Sequence, residues 1–218
     1  MESGGKKIKK KILLKIIKML LFLDNYLYAA VSKFVVKLEN GIHPKHRLMK
    51  YHNFFINNIN STDIVLDVGC GNGFNTYHIA GKAKRVVGID IDSKNIAYAE
   101  KNFLSDNIDY LTANIMDYKF GQKFDVIVLS NVLEHMKDRI KLLKKIKDIG
   151  RRFLVRVPVI DRSWLVLYKK ELGIEYRLDK THYIEYTIDN FTKELERAGL
   201  KIKNYSIQFG EIWAVIEE

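Results

Sequence analysis

Apolar residues recur four apart near the start of the chain, with Ile8, Ile12, Ile16 and Leu20 in one line and Leu13, Ile17 and Leu21 beside it. Lysines occupy the remaining face. That spacing predicts a basic amphipathic helix over Lys6–Leu23. A second helical stretch, from Lys45 to about Asn58, carries Tyr51, His52, Phe54 and Phe55. Beyond it the period changes. Short β-branched runs at 64–69, 85–90, 108–113, 124–130 and 152–157 alternate with helical stretches at 73–80, 93–104 and 138–148. Strands this continuously apolar suit a sheet covered by helices on both faces. Ser93 is placed to cap the helix it begins, and Gly150 to stop the helix before it in a left-handed turn. From Pro158 to Tyr186 runs an insertion rich in aromatics, including Trp164, Tyr168, Tyr176 and Tyr183. A helix over 188–198 ends at Gly199, and runs at 201–209 and 211–217 meet at Gly210 as an antiparallel hairpin.

Two strand ends carry candidate chemistry. The first run leads into Asp67-x-Gly69-x-Gly71-x-Gly73, and the second ends on Asp90, 17 residues past Gly73. Glycines let a backbone turn tightly and approach a ligand closely. An acid at the next strand end can accept hydrogen bonds from both hydroxyls of a ribose. A dinucleotide fingerprint, G-x-G-x-x-G, would need a glycine where Phe74 stands.

In this order the residues resemble the class I S-adenosylmethionine-dependent methyltransferases, from about residue 62 to the C-terminus. After the fourth strand, Leu133-Glu134-His135 is similar to a segment of the ubiquinone/menaquinone-pathway type. The resemblance implies an α/β fold: a doubly wound, seven-stranded, mostly parallel Rossmann-like sheet with an N-terminal helical extension. Residues 1–60 would be the arm and a lid, and 61–218 the methyltransferase domain, its insertion at about 158–186 roofing the substrate. The cofactor implied is S-adenosyl-L-methionine. Gly69, Gly71 and Gly73 would pack against its methionine portion, which Asp67 would orient directly or through water. Asp90 would hold the ribose and Ile91 lie on the adenine face. Asn114 stands where many relatives carry an Asp for the adenine amino group, with Asp117 as the alternative. Asn131 and His135 would face the methyl group.

An oxygen nucleophile needs a proton acceptor as the methyl moves, and imidazole, titrating at ~6.5 when unperturbed, suits that role. His135 is the first candidate and His182 the second. Some quinone-pathway relatives bind a divalent metal at Glu-x-x-Glu-His; here Asn131 replaces the first Glu, so no metal is expected. The absence of an Asn/Asp-Pro-Pro-aromatic motif argues against methylation of adenine or amide nitrogen. The expected function is therefore methyl transfer to oxygen of a small-molecule, glycan or lipid-linked acceptor. The competing readings are an RNA methyltransferase and a non-catalytic cofactor-binding or membrane-scaffold protein.

Charge sharpens the partner question. Of the net +11, residues 1–50 hold +9, from twelve lysines and arginines against three acids, leaving +2 for the rest. A nucleic-acid enzyme more often carries its basic stripe around the active site, so nucleic acid is the lesser expectation. The basic arm would instead lie on anionic lipid, or pack on its own domain or in a homodimer. Lys15 and Lys18 interrupt the apolar run, which excludes a secretory signal or a membrane span there. The expected location is cytoplasmic, including the inner membrane face. Cys70, the only cysteine, rules out a disulfide framework and reads as a compact filler in the glycine turn.

Overall fold

The computed structural model describes residues 2–39 and 41–218, and for residues 2–5 the backbone alone. These form two compact units, one of residues 1–49 and 161–180, the other of 50–160 and 181–218.

In the first unit, helix α1 (Glu2–Leu38) runs for 37 residues, well past the predicted end at Leu23. The apolar periodicity continues through Leu27, Val31, Phe34 and Leu38, and neither proline nor glycine interrupts it. The short helix α2 (Lys45–Met49) follows, and α7 (Trp164–Glu171) comes from the insertion. Lys169 of α7 is buried, and its ammonium reaches Asp24 Oδ2 at 2.5 Å and Asn25 Oδ1 at 2.7 Å. Asn25 Nδ2 donates in turn to the carbonyl of Glu175. A buried ammonium without such partners would cost several kcal/mol, so these bonds fix the insertion to α1.

The second unit contains a seven-stranded sheet of β1 (Ile64–Val68), β2 (Arg85–Asp90), β3 (Ile108–Thr112), β4 (Phe124–Ser130), β5 (Gly150–Pro158), β6 (Lys201–Gln208) and β7 (Glu211–Glu217). Their order is β3-β2-β1-β4-β5-β7-β6, parallel except for β7, which runs antiparallel between β5 and β6. The expected sheet and terminal hairpin are thus both present. The chain winds outward from β1 to β3, then returns to β4 and winds the other way. With right-handed crossovers, this puts α4 (Phe74–Ala80) and α5 (Ser93–Asn102) on one face and α6 (Arg139–Lys147) on the other. The reversal leaves a crevice at the carboxyl ends of β1 and β4, where Val68 pairs with Leu129. Leu66, Ile127, Leu129, Phe153 and Phe191 are wholly buried in the core that supports the sheet, each contributing roughly 1.5–3 kcal/mol.

Three local expectations are corrected. The N-cap of α5 is Asp92, whose carboxylate accepts from the Lys94 amide, while Ser93 is the first helical residue. Gly150 is not a left-handed stop but the first residue of β5, where a Cβ would meet Ile127 Cδ1 at 2.5 Å. The stretch 45–58 is two helices, α2 and α3 (His52–Asn57), broken at Lys50 with φ 47°. The stop at Gly199 is as expected, with φ 76°.

Candidate active site

The turn after β1 holds its shape because Gly69, Gly71 and Gly73 all adopt positive φ. At Gly69 the approach is close as well, since a Cβ would lie 2.8 Å from Val132 Cγ2 in the loop after β4. Gly73 caps α4, with no side chain of its own to contribute. Beneath the turn Asp67 is buried, its Oδ2 accepting from the Thr76 hydroxyl of α4 at 2.7 Å. Burial, with help from the Asp90 charge, pushes the Asp67 carboxyl up to about 7. Asp67 therefore positions the first turn of α4 and lies behind the cavity wall.

Asp90, at the end of β2, braces two loops at once. Its Oδ2 accepts from the Gly71 amide and its Oδ1 from the Asp92 amide, both at 2.8 Å. A carboxylate offers about four lone-pair directions, so each oxygen keeps one for a ligand. Around it opens a cavity of about 390 Å³, within the usual size range of small-molecule sites. Its wall brings together six expected residues: Gly69, Asp90, Ile91, Asn114, Asn131 and His135. Ile91 is 72% exposed, an apolar surface open to a ligand. Asn114 is already engaged, its Oδ1 accepting from the Met116 amide and its Nδ2 donating to Asp117. Asp67, Gly71, Gly73 and His182 do not line this cavity.

The opposite wall is a network built from distant segments. Asn131 follows β4 in a left-handed conformation (φ 56°), its amide nitrogen donating to Glu134 Oε1 and its amide oxygen accepting from Arg156 of β5. Arg156 is buried, pairs with Glu211 of β7 at 3.0 Å, and lies 3.6 Å from the ring centre of Tyr51. Burial pushes the Tyr51 phenol up to about 12, keeping it neutral under the guanidinium. Next to Tyr51, Phe54 packs on Trp213, so these aromatics of α3 are fastened to the sheet.

Leu133–His135 form one 3-10 turn. It buries Glu134 completely and leaves its Oε2 without a hydrogen-bond partner. Burial raises the Glu134 carboxyl to about 7, against the opposing pull of its own backbone, Asn131 and His182. His182 lies behind His135, with ring centres 4.6 Å apart. Ligand atoms of Glu134, His135 and His182 all fall within 4.8 Å of one another. Each group is oriented by a bond on its outer side: Glu134 from Asn131, His135 Nδ1 with Thr181 Oγ1 at 2.8 Å, and His182 Nδ1 with Glu185 Oε1 at 3.4 Å. One carboxylate and two imidazoles so arranged could share a proton or hold a divalent cation.

Residues 66–152 match the family model described as a methyltransferase domain. That stretch carries a methyltransferase domain. The ubiquinone biosynthesis O-methyltransferase of Nitrobacter winogradskyi is 29% identical over 169 residues, 69% of this chain and 63% of that protein. The ribosomal protein L11 methyltransferase of Thermotoga maritima is 31% identical, over 59% of this chain and 48% of that protein. The chain thus spans between about half and two-thirds of the length of these curated relatives. Among solved structures, magnesium protoporphyrin IX methyltransferase from Synechocystis PCC 6803 with bound SAH shares the fold. Its TM-score is 0.60 at 16% identity, covering 89% of this chain and 83% of that one.

Sequence reasoning missed several residues that shape this site: Tyr51 as a platform, Glu134 as a buried acid, Arg156 as the hub and Glu185 behind His182. Arg156 had a signal, a charge inside the apolar run Phe153-Leu154-Val155-Arg156-Val157. The others had none, since burial gives Glu134 and Glu185 their roles and the distant Arg156 gives Tyr51 its own.

Proposed function

We propose that this chain transfers the methyl group of S-adenosyl-L-methionine to an oxygen of a small-molecule acceptor, a class that includes glycan and lipid-linked compounds, and that it does so in the cytoplasm or against the inner face of the membrane. The observation that carries the reading is the Asp90 carboxylate, fixed by two loop amides with lone pairs left for two ribose hydroxyls. The glycine turn fits as well: a Cβ on Gly71 would meet no protein atom and would occupy open space. The relatives named for O-methyl transfer in ubiquinone biosynthesis support oxygen as the accepting atom.

When bound, the cofactor supplies a methyl group on a positively charged sulfur, already electrophilic, so the protein's contribution is mainly placement. Asp90 would take the ribose and Ile91 the adenine face. Asn114 Oδ1 keeps one lone pair for the adenine amino group. Asn131 would close the methyl end, its side chain locked by Arg156 and Glu134. His135, on the cavity wall, would take the acceptor's proton, and Glu134 and His182 lie within 4.8 Å to share it.

The test is titration calorimetry with S-adenosylmethionine and S-adenosylhomocysteine on the wild type and Asp90→Ala, followed by transfer of labelled methyl to phenolic, glycan and lipid fractions and to RNA. Expected are micromolar binding lost in Asp90→Ala and label in a phenolic, glycan or lipid fraction. No binding to the wild type overturns the reading, and label confined to RNA overturns its acceptor class.

A further inference from the structure

Helix α1 has two unlike sides. One faces the insertion within its own unit: Leu21 is buried, Asn25 is bonded to Lys169 and Glu175, and Ser32 Oγ lies 3.1 Å from His43 Nε2. At 3.6 residues per turn these positions share one side. Roughly half a circumference away runs a line that includes Ile8, Ile16, Met19, Leu23, Leu27 and Phe34. Every one of these is exposed, Met19 to 63% and Phe34 to 66%. At about 1.5 Å per residue the apolar line extends some 40 Å, far beyond what scattered surface hydrophobics explain.

Lys7, Lys11, Lys15 and Lys18, spaced four, four and three residues apart, form a row to one side of this line. No helix among the described residues is long and apolar enough to cross a membrane. A long apolar face beside a row of cations, too charged to span, matches a helix lying in the plane of an anionic bilayer. We propose that this face of α1 is a docking surface for an anionic lipid bilayer, with the insertion fixed to its other side through Lys169, Asp24 and Asn25. The proposal deepens the methyl-transfer reading by directing it to acceptors held at a membrane surface, but the docking itself needs neither cofactor nor acceptor.

The experiment is co-sedimentation of the full chain, without cofactor, with vesicles of phosphatidylglycerol and phosphatidylcholine or of phosphatidylcholine alone, at low and high salt. The wild type is expected to sediment with the anionic vesicles only, and less at high salt. Met19→Glu with Leu23→Glu should lower partitioning by about ten-fold or more. Lys141→Glu, an exposed site on α6 with the same change in charge, should leave it intact. Lys7, Lys11, Lys15 and Lys18→Gln together should weaken binding without inserting acids into the apolar face. This second variant keeps the test decisive if circular dichroism shows the first to be misfolded. The proposal is overturned if the wild type stays in the supernatant or if both helix variants bind as it does. A dimer seen by light scattering and dispersed by the Met19/Leu23 variant overturns it too, with a second copy as the occupant. Since the assay contains no cofactor, failure here leaves the calorimetric result on Asp90 untouched.

Discussion

The two walls of the cavity are built on different principles. On the Asp90 wall one carboxylate faces the cavity and is held by two backbone amides, all contributed by two consecutive strand–helix turns between residues 67 and 92. On the Asn131 wall the polar groups, Asn131 and His135, are side chains backed by a network of other side chains, Tyr51, Glu134, Arg156, His182 and Glu211, most of them from distant segments. A site made of backbone can be written in a short stretch of sequence, because glycine spacing sets its geometry. A buried polar network cannot, because its energy depends on complete pairing among distant residues.

The sharpest way to break this contrast is at its hub. Arg156→Ala would leave Glu211 a buried, uncompensated charge and remove the contact on Tyr51. It should destabilise the protein by about 3–5 kcal/mol, read as a lowered midpoint in urea, and a shift under about 1 kcal/mol would show the network to be ornamental. Next is His135→Ala. Loss of a general base should lower kcat by about 10²-fold or more while the calorimetric affinity for cofactor stays within about two-fold of the wild type. Equal losses in both would instead make His135 a binding residue. On the other wall, Asp90→Asn keeps one acceptor oxygen and should weaken the cofactor by about 10–100-fold, the cost of one or two charge-assisted bonds. Its melting temperature should move far less than that of Arg156→Ala.

The gentlest perturbation is pH. Glu134 and Asp67 are both raised to about 7 by burial, from ordinary values of 4.5 and 3.8. The folded state therefore holds protons that the unfolded state has released, and stability falls as pH rises from those ordinary values towards 7. The slope from each group is at most about 1.4 kcal/mol per pH unit. Thermal melts between pH 5 and 8 should show wild-type stability declining, and Glu134→Gln should flatten the decline by the share of that one group. A variant as pH-dependent as the wild type would place the effect on Asp67.

The amino-acid sequence alone was enough to specify the alternation of strands and helices, the terminal hairpin, the glycine turn and Asp90. These are local: period, turn chemistry and a fixed spacing suffice to specify them. It misjudged Ser93 and Gly150, where neighbours decided the outcome, Asp92 by offering a better-placed carboxylate and Ile127 by crowding the space a Cβ would need. The apolar line of the first helix was legible as a pattern, but which side stays open was not. That depended on Lys169, which is 144 residues from Asn25 and brings a buried ammonium to it. In the same way, it is the folded surroundings that set His182 behind His135 and raise the Glu134 carboxyl to about 7. Desolvation is a property of the whole surroundings, and no spacing along the chain encodes it.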